Sequence, residues 1–242
     1  NLDYTVWKNA GPLWQVKDAR VEKVDSATAR IVVHADLPVV GATYTITYTV
    51  HSSGDVLVDC NYKPGTEDLA TMPRFGTELL AAPGLENLTW YGRGPKETMI
   101  DREFERIGVY QTTVDRDWVE YMRPQENGNK TDVRWVALTN RQGVGLLAVG
   151  MPLLGVNALH YRTSDLENVA HTFEMTRRDE VTLNLDYRQM GVGGDNSWGA
   201  LPHPEFLLRD KSYTYRFRLR PLRAAEQSPM GLSKKSFSAD GQ

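Results

Sequence analysis

Apolar and polar residues alternate with a period of two along much of this chain. In residues 42–50, apolar side chains fall on one side and four threonines on the other. A strand with one buried and one wetter face produces this pattern, whereas a helix would scatter the apolar groups around its circumference. Residues 213–220 alternate in the same way, with Arg216, Arg218 and Arg220 on the wetter side.

Shorter segments rich in β-branched and aromatic residues are also predicted to be strands. They are residues 29–35, 56–60, 75–80, 87–91, 133–138, 145–149 and 181–187. Polar turns at residues 52–55 and 140–143 separate neighbouring strands. The best helix signal is a capping box at residues 164–167. Many strands, tight turns and almost no helix predict an all-β, mainly antiparallel sandwich.

The length favours a single domain. All-β sandwiches commonly reach this size as one unit, and 242 residues with 40% hydrophobic content provide a substantial core. The alternation stops after Leu222, so we expect residues 1–222 to form the domain and residues 223–242 to be a flexible tail. Cys60 is the only cysteine, which excludes an intrachain disulfide and is typical of a small core residue.

Charge and hydropathy exclude several partners. The net charge is −3, without a long run of one sign, so nucleic acid and anionic membrane surfaces are not expected partners. No stretch approaches the roughly 20 apolar residues of a membrane helix. The five histidines never fall three or four residues apart and none pairs with a cysteine, so a metal site is not expected.

Three long loops carry the candidate chemistry: residues 92–107, 117–132 and 190–205. Among their acidic residues, the candidates for paired carboxylates are Glu97, Asp101, Glu126 and Asp195. Hydrolysis of a glycosidic bond with retention needs two carboxyl groups about 5–5.5 Å apart, and sequence cannot establish that distance. These acids are more simply acceptors for backbone N–H groups or for arginines such as Arg93 and Arg102. We therefore expect no catalytic residue in this chain.

Trp198 is the most suggestive aromatic residue, because it follows a glycine run in the third loop. An indole at a loop tip offers a flat apolar face to the C–H face of a sugar. Covering roughly 100 Å² at about 25 cal/mol per Å² stabilises a complex by at most ~2.5 kcal/mol before ordering costs. The alternative is that Trp198 plugs the end of the sandwich, and the residues alone leave both open.

Three motifs resemble one known family. Residues 88–97, LTWYGRGPKE, followed by Asp101 and Arg102, resemble the W-x-G-x-G-P-x-E…D-R motif of the last domain of large family 2 β-galactosidases. Residues 121–128, YMRPQENG, resemble its Y-x-x-P-x-E-N-G segment. Residues 191–198, GVGGDNSW, resemble its G-x-G-G-D-[DN]-S-W loop. The resemblance extends from Trp7 to Leu222 and is specific, since the motifs occur in the family's order.

The resemblance implies a galactose-mutarotase-like supersandwich of two large antiparallel sheets, here expected to lack its first strands. It implies a parent enzyme that hydrolyses terminal β-D-galactosides such as lactose with retention and assembles as a homo-oligomer. The catalytic glutamates and the magnesium and sodium ligands of that enzyme belong to a TIM-barrel domain outside this chain. Trp198 matches the tryptophan that stacks on the substrate. The expected loop-supporting residues are Gly193, Gly194, Asp195, Asn196, Glu97, Asp101, Arg102, Glu126 and Asn127.

A second interpretation remains open at this point. A mutarotase-like fold allows a stand-alone carbohydrate-binding domain or a sugar epimerase. Epimerisation needs a general base and a general acid across a groove. His160, His171 and Glu174 are available for these roles but lie in no mutarotase motif.

Overall fold

Strands make up most of the secondary structure, as the alternation predicts. The computed structural model describes residues 4–65, 69–167, 169–196, 198–209, 211–226 and 228–237. The strands are β1 (Gln15–Lys23), β2 (Thr28–Leu37), β3 (Ala42–His51), β4 (Val56–Lys63), β5 (Arg74–Ala81), β6 (Asn87–Gly94), β7 (Arg106–Thr113), β8 (Lys130–Thr139), β9 (Gly145–Leu159), β10 (Val181–Gln189) and β11 (Tyr213–Leu222). The helices are α1 (Thr5–Ala10), α2 (Val114–Asp117), α3 (Thr163–Glu167) and α4 (Pro229–Ser233).

The described strands pair antiparallel in the order β1-β2-β3-β4-β11-β9-β8-β6-β7. Strand β9 leaves this path halfway along its length. Its first part, residues 145–151, pairs with β11, whereas residues 155–159 pair with β10. Strand β5 pairs in turn with β10. One long strand therefore belongs to two layers.

Aromatic side chains fill the space between the two layers. Phe75 on β5 places its ring centroid 5.3–6.0 Å from those of Tyr44, Tyr62, Tyr213 and Tyr215. These tyrosines lie on β3, β4 and β11, with which β5 shares no ladder of hydrogen bonds. The contacts thus cross between layers, and the predicted antiparallel sandwich is confirmed. Cys60 is buried in the same core.

The outer face of β11 is more buried than the alternation of its residues predicts. Arg218 and Arg220 are buried, with 2% and 8% of their surface exposed. Both guanidinium groups donate to the carboxylate of Asp55, which is completely buried. Of the three arginines, only Arg216 meets the expectation of a wet face, since it is partly exposed and pairs with Asp59. An acidic partner from the β3–β4 turn and a covering helix explain the difference.

That helix is α4, and it lies in the segment expected to be a flexible tail. Leu232 on α4 is 1% exposed, in a small core cluster with Trp135 and Leu222. Arg218 donates to the backbone carbonyl oxygen of Leu232 at 2.8 Å. Residues 228–237 therefore differ from the expectation, because they pack on the sheet. Residues 238–242 lie outside the described part of the chain.

Strands β1, β5 and β7 lie at the outer ends, where each pairs with one described strand. Almost all residues of β1 are exposed on both faces. That the domain lacks its first strands stays a prediction. Within the described residues, none of the helices has the length and hydropathy needed to cross a bilayer.

Candidate functional site

The three motif-bearing loops meet at one end of the sandwich, and Glu97 of the first loop connects it to the second. Its carboxylate accepts hydrogen bonds from the hydroxyl of Tyr121 at 2.6 Å and from the backbone N–H of Gly128 at 2.7 Å. Arg102 pairs with the same carboxylate. The side chain of Glu97 is only 7% exposed, so its oxygens are committed to these partners.

Asp101 connects the first loop to the third. Its Oδ2 accepts hydrogen bonds from the backbone N–H groups of Val192 and Gly193, both at 2.7 Å. Two charge-assisted bonds from consecutive amides hold the glycine run in one place. The other oxygen, Oδ1, is buried and has no hydrogen-bond partner among the described residues.

The tip of the third loop carries Trp198, whose surface is 91% exposed. Asn196 Oδ1 accepts a hydrogen bond from the backbone N–H of Trp198 at 2.8 Å, which closes a local turn. A Cβ on Gly194 would lie 2.1 Å from the carbonyl oxygen of Ala200, so the loop closes only with glycine there. The indole does not plug the sandwich. Ser197, between Asn196 and Trp198, lies outside the described residues.

An ion pair between Asp195 and His203 joins the two sides of the tip. His203 Nε2 lies 2.7 Å from Asp195 Oδ1, and both side chains are more than half exposed. The hydrogen bond to Asp195, with its negative charge, raises the pKa of His203 above its ordinary value. The protonated imidazole favours this contact. The contact is therefore complete below the ordinary pKa of about 6.5 and is lost as the pH rises through the raised value.

We expect an NMR titration of the His203 ring to give a midpoint above 6.5, because Asp195 stabilises the charged imidazole. In Asp195→Asn the midpoint should fall toward the ordinary value, since the amide keeps the shape but not the charge. Equal midpoints in the two proteins would show that the contact does not form in solution.

Glu126 lies beneath the loops in a polar network rather than beside another loop acid. Its Oε2 pairs with Arg74 at 2.8 Å, and its Oε1 accepts a hydrogen bond from Asn157 at 2.8 Å. Arg74 also pairs with Asp186, whose side chain is 1% exposed. Burial raises the pKa of Glu126, and the Arg74 guanidinium opposes that rise. The adjacent Asn127 holds the second loop, accepting from the backbone N–H of Val119 at 3.0 Å.

Another cluster brings together Glu86, Asp115 and His160, each with one potential ligand atom within 4.8 Å of the others. Arg177 already occupies the space between them. Its guanidinium contacts Asp115 at 3.0 Å and His160 Nε2 at 2.8 Å. The positively charged Arg177 guanidinium therefore already takes the place that a metal ion would need in this cluster.

The residues considered for epimerisation do not form a pair across a groove. His160 Nδ1 lies 3.0 Å from the carbonyl oxygen of Arg178, to which it donates. Glu174 accepts hydrogen bonds from the backbone N–H groups of Ala170 and His171, so its carboxylate caps its own turn. The hydrogen bonds of His160 and Glu174 thus go to backbone groups, which is typical of a structural role.

Sequence reasoning did not single out Arg74, Asp186 or Gln189. Gln189 donates to Asp186 Oδ2 at 3.0 Å, and Arg74 reaches Asp186 across 112 residues of sequence. A charged residue inside an otherwise uncharged predicted strand is a usable signal, because a buried charge requires a partner. It identifies Asp186 within residues 181–187, but not its partner.

These features define a β-sandwich domain that presents an exposed indole on a braced loop. The family model described as beta galactosidase small chain matches residues 1–219. The chain belongs to this family.

Relatives agree with this assignment. A β-galactosidase of Priestia megaterium is 37% identical over 219 residues, which are 89% of this chain and 21% of that protein. A β-galactosidase of Lactobacillus delbrueckii subsp. bulgaricus is 35% identical over 223 residues, 91% of this chain and 22% of that protein. The chain thus spans about a fifth of these curated relatives. A GalM/aldose epimerase homologue from C. elegans aligns at 10% identity and a TM-score of 0.45, covering 87% of this chain and 70% of its own.

Proposed function

We propose that this chain works as one domain of a β-galactosidase that hydrolyses terminal β-D-galactosides, where Trp198 stacks on the bound galactoside. The observation that carries the proposal is the 91% exposure of an indole on a loop anchored at its base. The catalytic acid and nucleophile come from the rest of the enzyme. The domain contributes one wall of the substrate pocket.

The exposure of Trp198 supports a contact with something outside this domain. Trp90 and Trp135 are buried, with 2% and 3% of their surface exposed, as the large aromatic area of tryptophan favours. An indole left in water forgoes that stabilisation unless a ligand or partner covers it. A sugar C–H face matches the ring in shape and polarity, and the indole N–H can donate to a hydroxyl.

The bracing of the loop supports a binding role. Ordering a loop opposes binding, so a loop that is already ordered loses less free energy when the ligand arrives. Asp101 fixes the glycine run, while Asn196 fixes the turn before Trp198. We propose that Gly193, Gly194 and Asp195 shape the same loop, and that Glu97, Arg102, Glu126 and Asn127 support its surroundings.

We propose that the magnesium and sodium ions implied by the family bind outside this chain, as the one acidic cluster found among the described residues does not suit them. Both ions prefer oxygen ligands, and magnesium requires an octahedral set. The cluster of Glu86, Asp115 and His160 offers one nitrogen and is filled by the Arg177 guanidinium. We therefore assign no ion and no ion-dependent step to this chain.

The non-catalytic part of the proposal predicts that the 242-residue chain alone does not hydrolyse a chromogenic β-galactoside above the uncatalysed rate. The loop carboxylates support this, since Glu97 and Asp101 are bound by neighbouring donors and Glu126 is paired with Arg74. The complete enzyme serves as the positive control. Turnover that follows the chain through purification would contradict the prediction. Kinetics of Trp198 variants, described in the Discussion, test the stacking itself.

A further inference from the structure

A cleft opens where strands β10 and β11 separate along the same edge of β9. Residue Met151 of β9 is opposite Arg216 of β11, and Gly155 is opposite Asp186 of β10. Residues 152–154 pair with neither of these two strands. The cavity in this gap has a volume of about 450 Å³, within the range typical of small-ligand sites.

Polar groups without a described hydrogen-bond partner line this cleft, where the Arg188 guanidinium lies 6.0 Å from the centroid of the Tyr187 ring. Arg188 and Glu205 make no hydrogen bond or ion pair with any residue that the structure describes, and they do not pair with each other. The hydroxyl of Tyr187 and the Oε1 of Gln189 likewise have no described hydrogen-bond partner. Together these groups offer donors and acceptors, as a ligand with several hydroxyls requires.

The polar floor of the cleft is held in place. Gln189 donates through Nε2 to Asp186 Oδ2 at 3.0 Å, which leaves its Oε1 available. Asn129, another lining residue, is buried and donates to the carbonyl oxygen of Thr98 at 2.9 Å. Amides oriented before binding favour specific recognition, because less side-chain freedom is lost.

The balance of charge indicates an uncharged ligand. Glu103 and Asp132 also line the cleft, but both pair with Arg93, at 3.2 and 2.7 Å. These three groups together carry one net negative charge, and Arg188 and Glu205 add one charge of each sign. The surroundings of the cleft are therefore slightly negative, which disfavours a phosphate or an acidic sugar. The half-exposed ring of Tyr187 adds an apolar face of the kind that packs on sugar C–H groups.

We propose that this cleft is a saccharide-binding site of the chain itself, formed by Tyr187, Arg188, Gln189 and Glu205 and selective for neutral sugars. Trp198 does not line it. The site therefore goes beyond the proposed function and does not depend on it. Because the cleft is open to solvent and offers few polar groups, we expect a dissociation constant in the millimolar range.

The test is a titration of the 242-residue chain with galactose and with lactose, followed by NMR of the backbone and side-chain amides. We expect saturable shifts centred on the Gln189 side chain and on residues 187–189. The double variant Arg188→Ala/Glu205→Gln should bind at least tenfold more weakly. Both side chains are exposed and make no described hydrogen bond or ion pair, so the variant should keep its melting temperature.

Two controls make the titration decisive. Arg123 is exposed and has no described partner, so Arg123→Ala should leave the affinity unchanged. Trp198→Ala distinguishes this site from the stacking loop. The proposal would be overturned by an absence of saturable shifts, or by binding lost in Trp198→Ala and kept in the double variant. Neither result would bear on Trp198 kinetics in the complete enzyme.

Discussion

Replacing Asp55 with alanine is expected to destabilise the folded chain by about 3–5 kcal/mol, the range typical of breaking a buried ion pair. Asp55 is completely buried and accepts from Arg218 and Arg220, whose side chains are 2% and 10% exposed. Its loss leaves the buried Arg218 without a carboxylate partner and leaves Arg220 with Glu226 alone. The same change loosens α4, since Arg218 also holds the carbonyl oxygen of Leu232.

Urea unfolding measures this change in free energy, with Asp36→Ala as the matched control. Asp36 pairs with Lys17 at 2.9 Å, but both side chains are largely exposed, so its removal should cost under about 1 kcal/mol. A midpoint for Asp55→Ala equal to that of the control would refute the buried-pair interpretation.

Trp198→Ala in the complete β-galactosidase is expected to raise KM for a galactoside about tenfold, which corresponds to about 1.4 kcal/mol. This lies below the ~2.5 kcal/mol that full coverage of roughly 100 Å² of indole face supplies. The value of kcat should change less, because the reacting groups belong to other parts of the enzyme. Trp198→Phe should recover part of the loss, since a smaller ring still stacks.

Phe173→Ala is the control for a general effect of removing an exposed aromatic side chain. Phe173 is 84% exposed and stacks on His171, and it belongs to none of the three motif loops. Its removal should leave KM unchanged. An unchanged KM in Trp198→Ala, or an equal change in both variants, would count against stacking.

The alternation along the chain predicted the strands that bury one face in the core and leave the other face more exposed. Strand β1 was missed because an edge strand exposed on both faces needs no apolar period. Strand β7 was also missed, as an edge strand where Ile107 and Val109 remain about half exposed. The second half of β9 has both faces covered and therefore does not alternate clearly. Edge and central strands are the two situations in which period two fails.

The sequence predicted only part of the candidate site, because the site depends on contacts between segments that are distant in sequence. Motif order identified Asp101 and the glycine run, but the hydrogen bonds that join them span 91 and 92 residues. The burial of Arg218 and Arg220 depends on a helix predicted as tail and on an aspartate from a turn. No local pattern encodes these partners, because they form only when the layers pack together.

A crystal structure of the complete β-galactosidase with a bound galactoside would show directly whether Trp198 stacks on the sugar. We expect the Trp198 ring within about 4.0–4.5 Å of the sugar's C–H face, with the reacting carboxylates supplied by another domain. An indole enclosed by protein and out of reach of the sugar would contradict it, as would a carboxylate of this chain at the scissile bond.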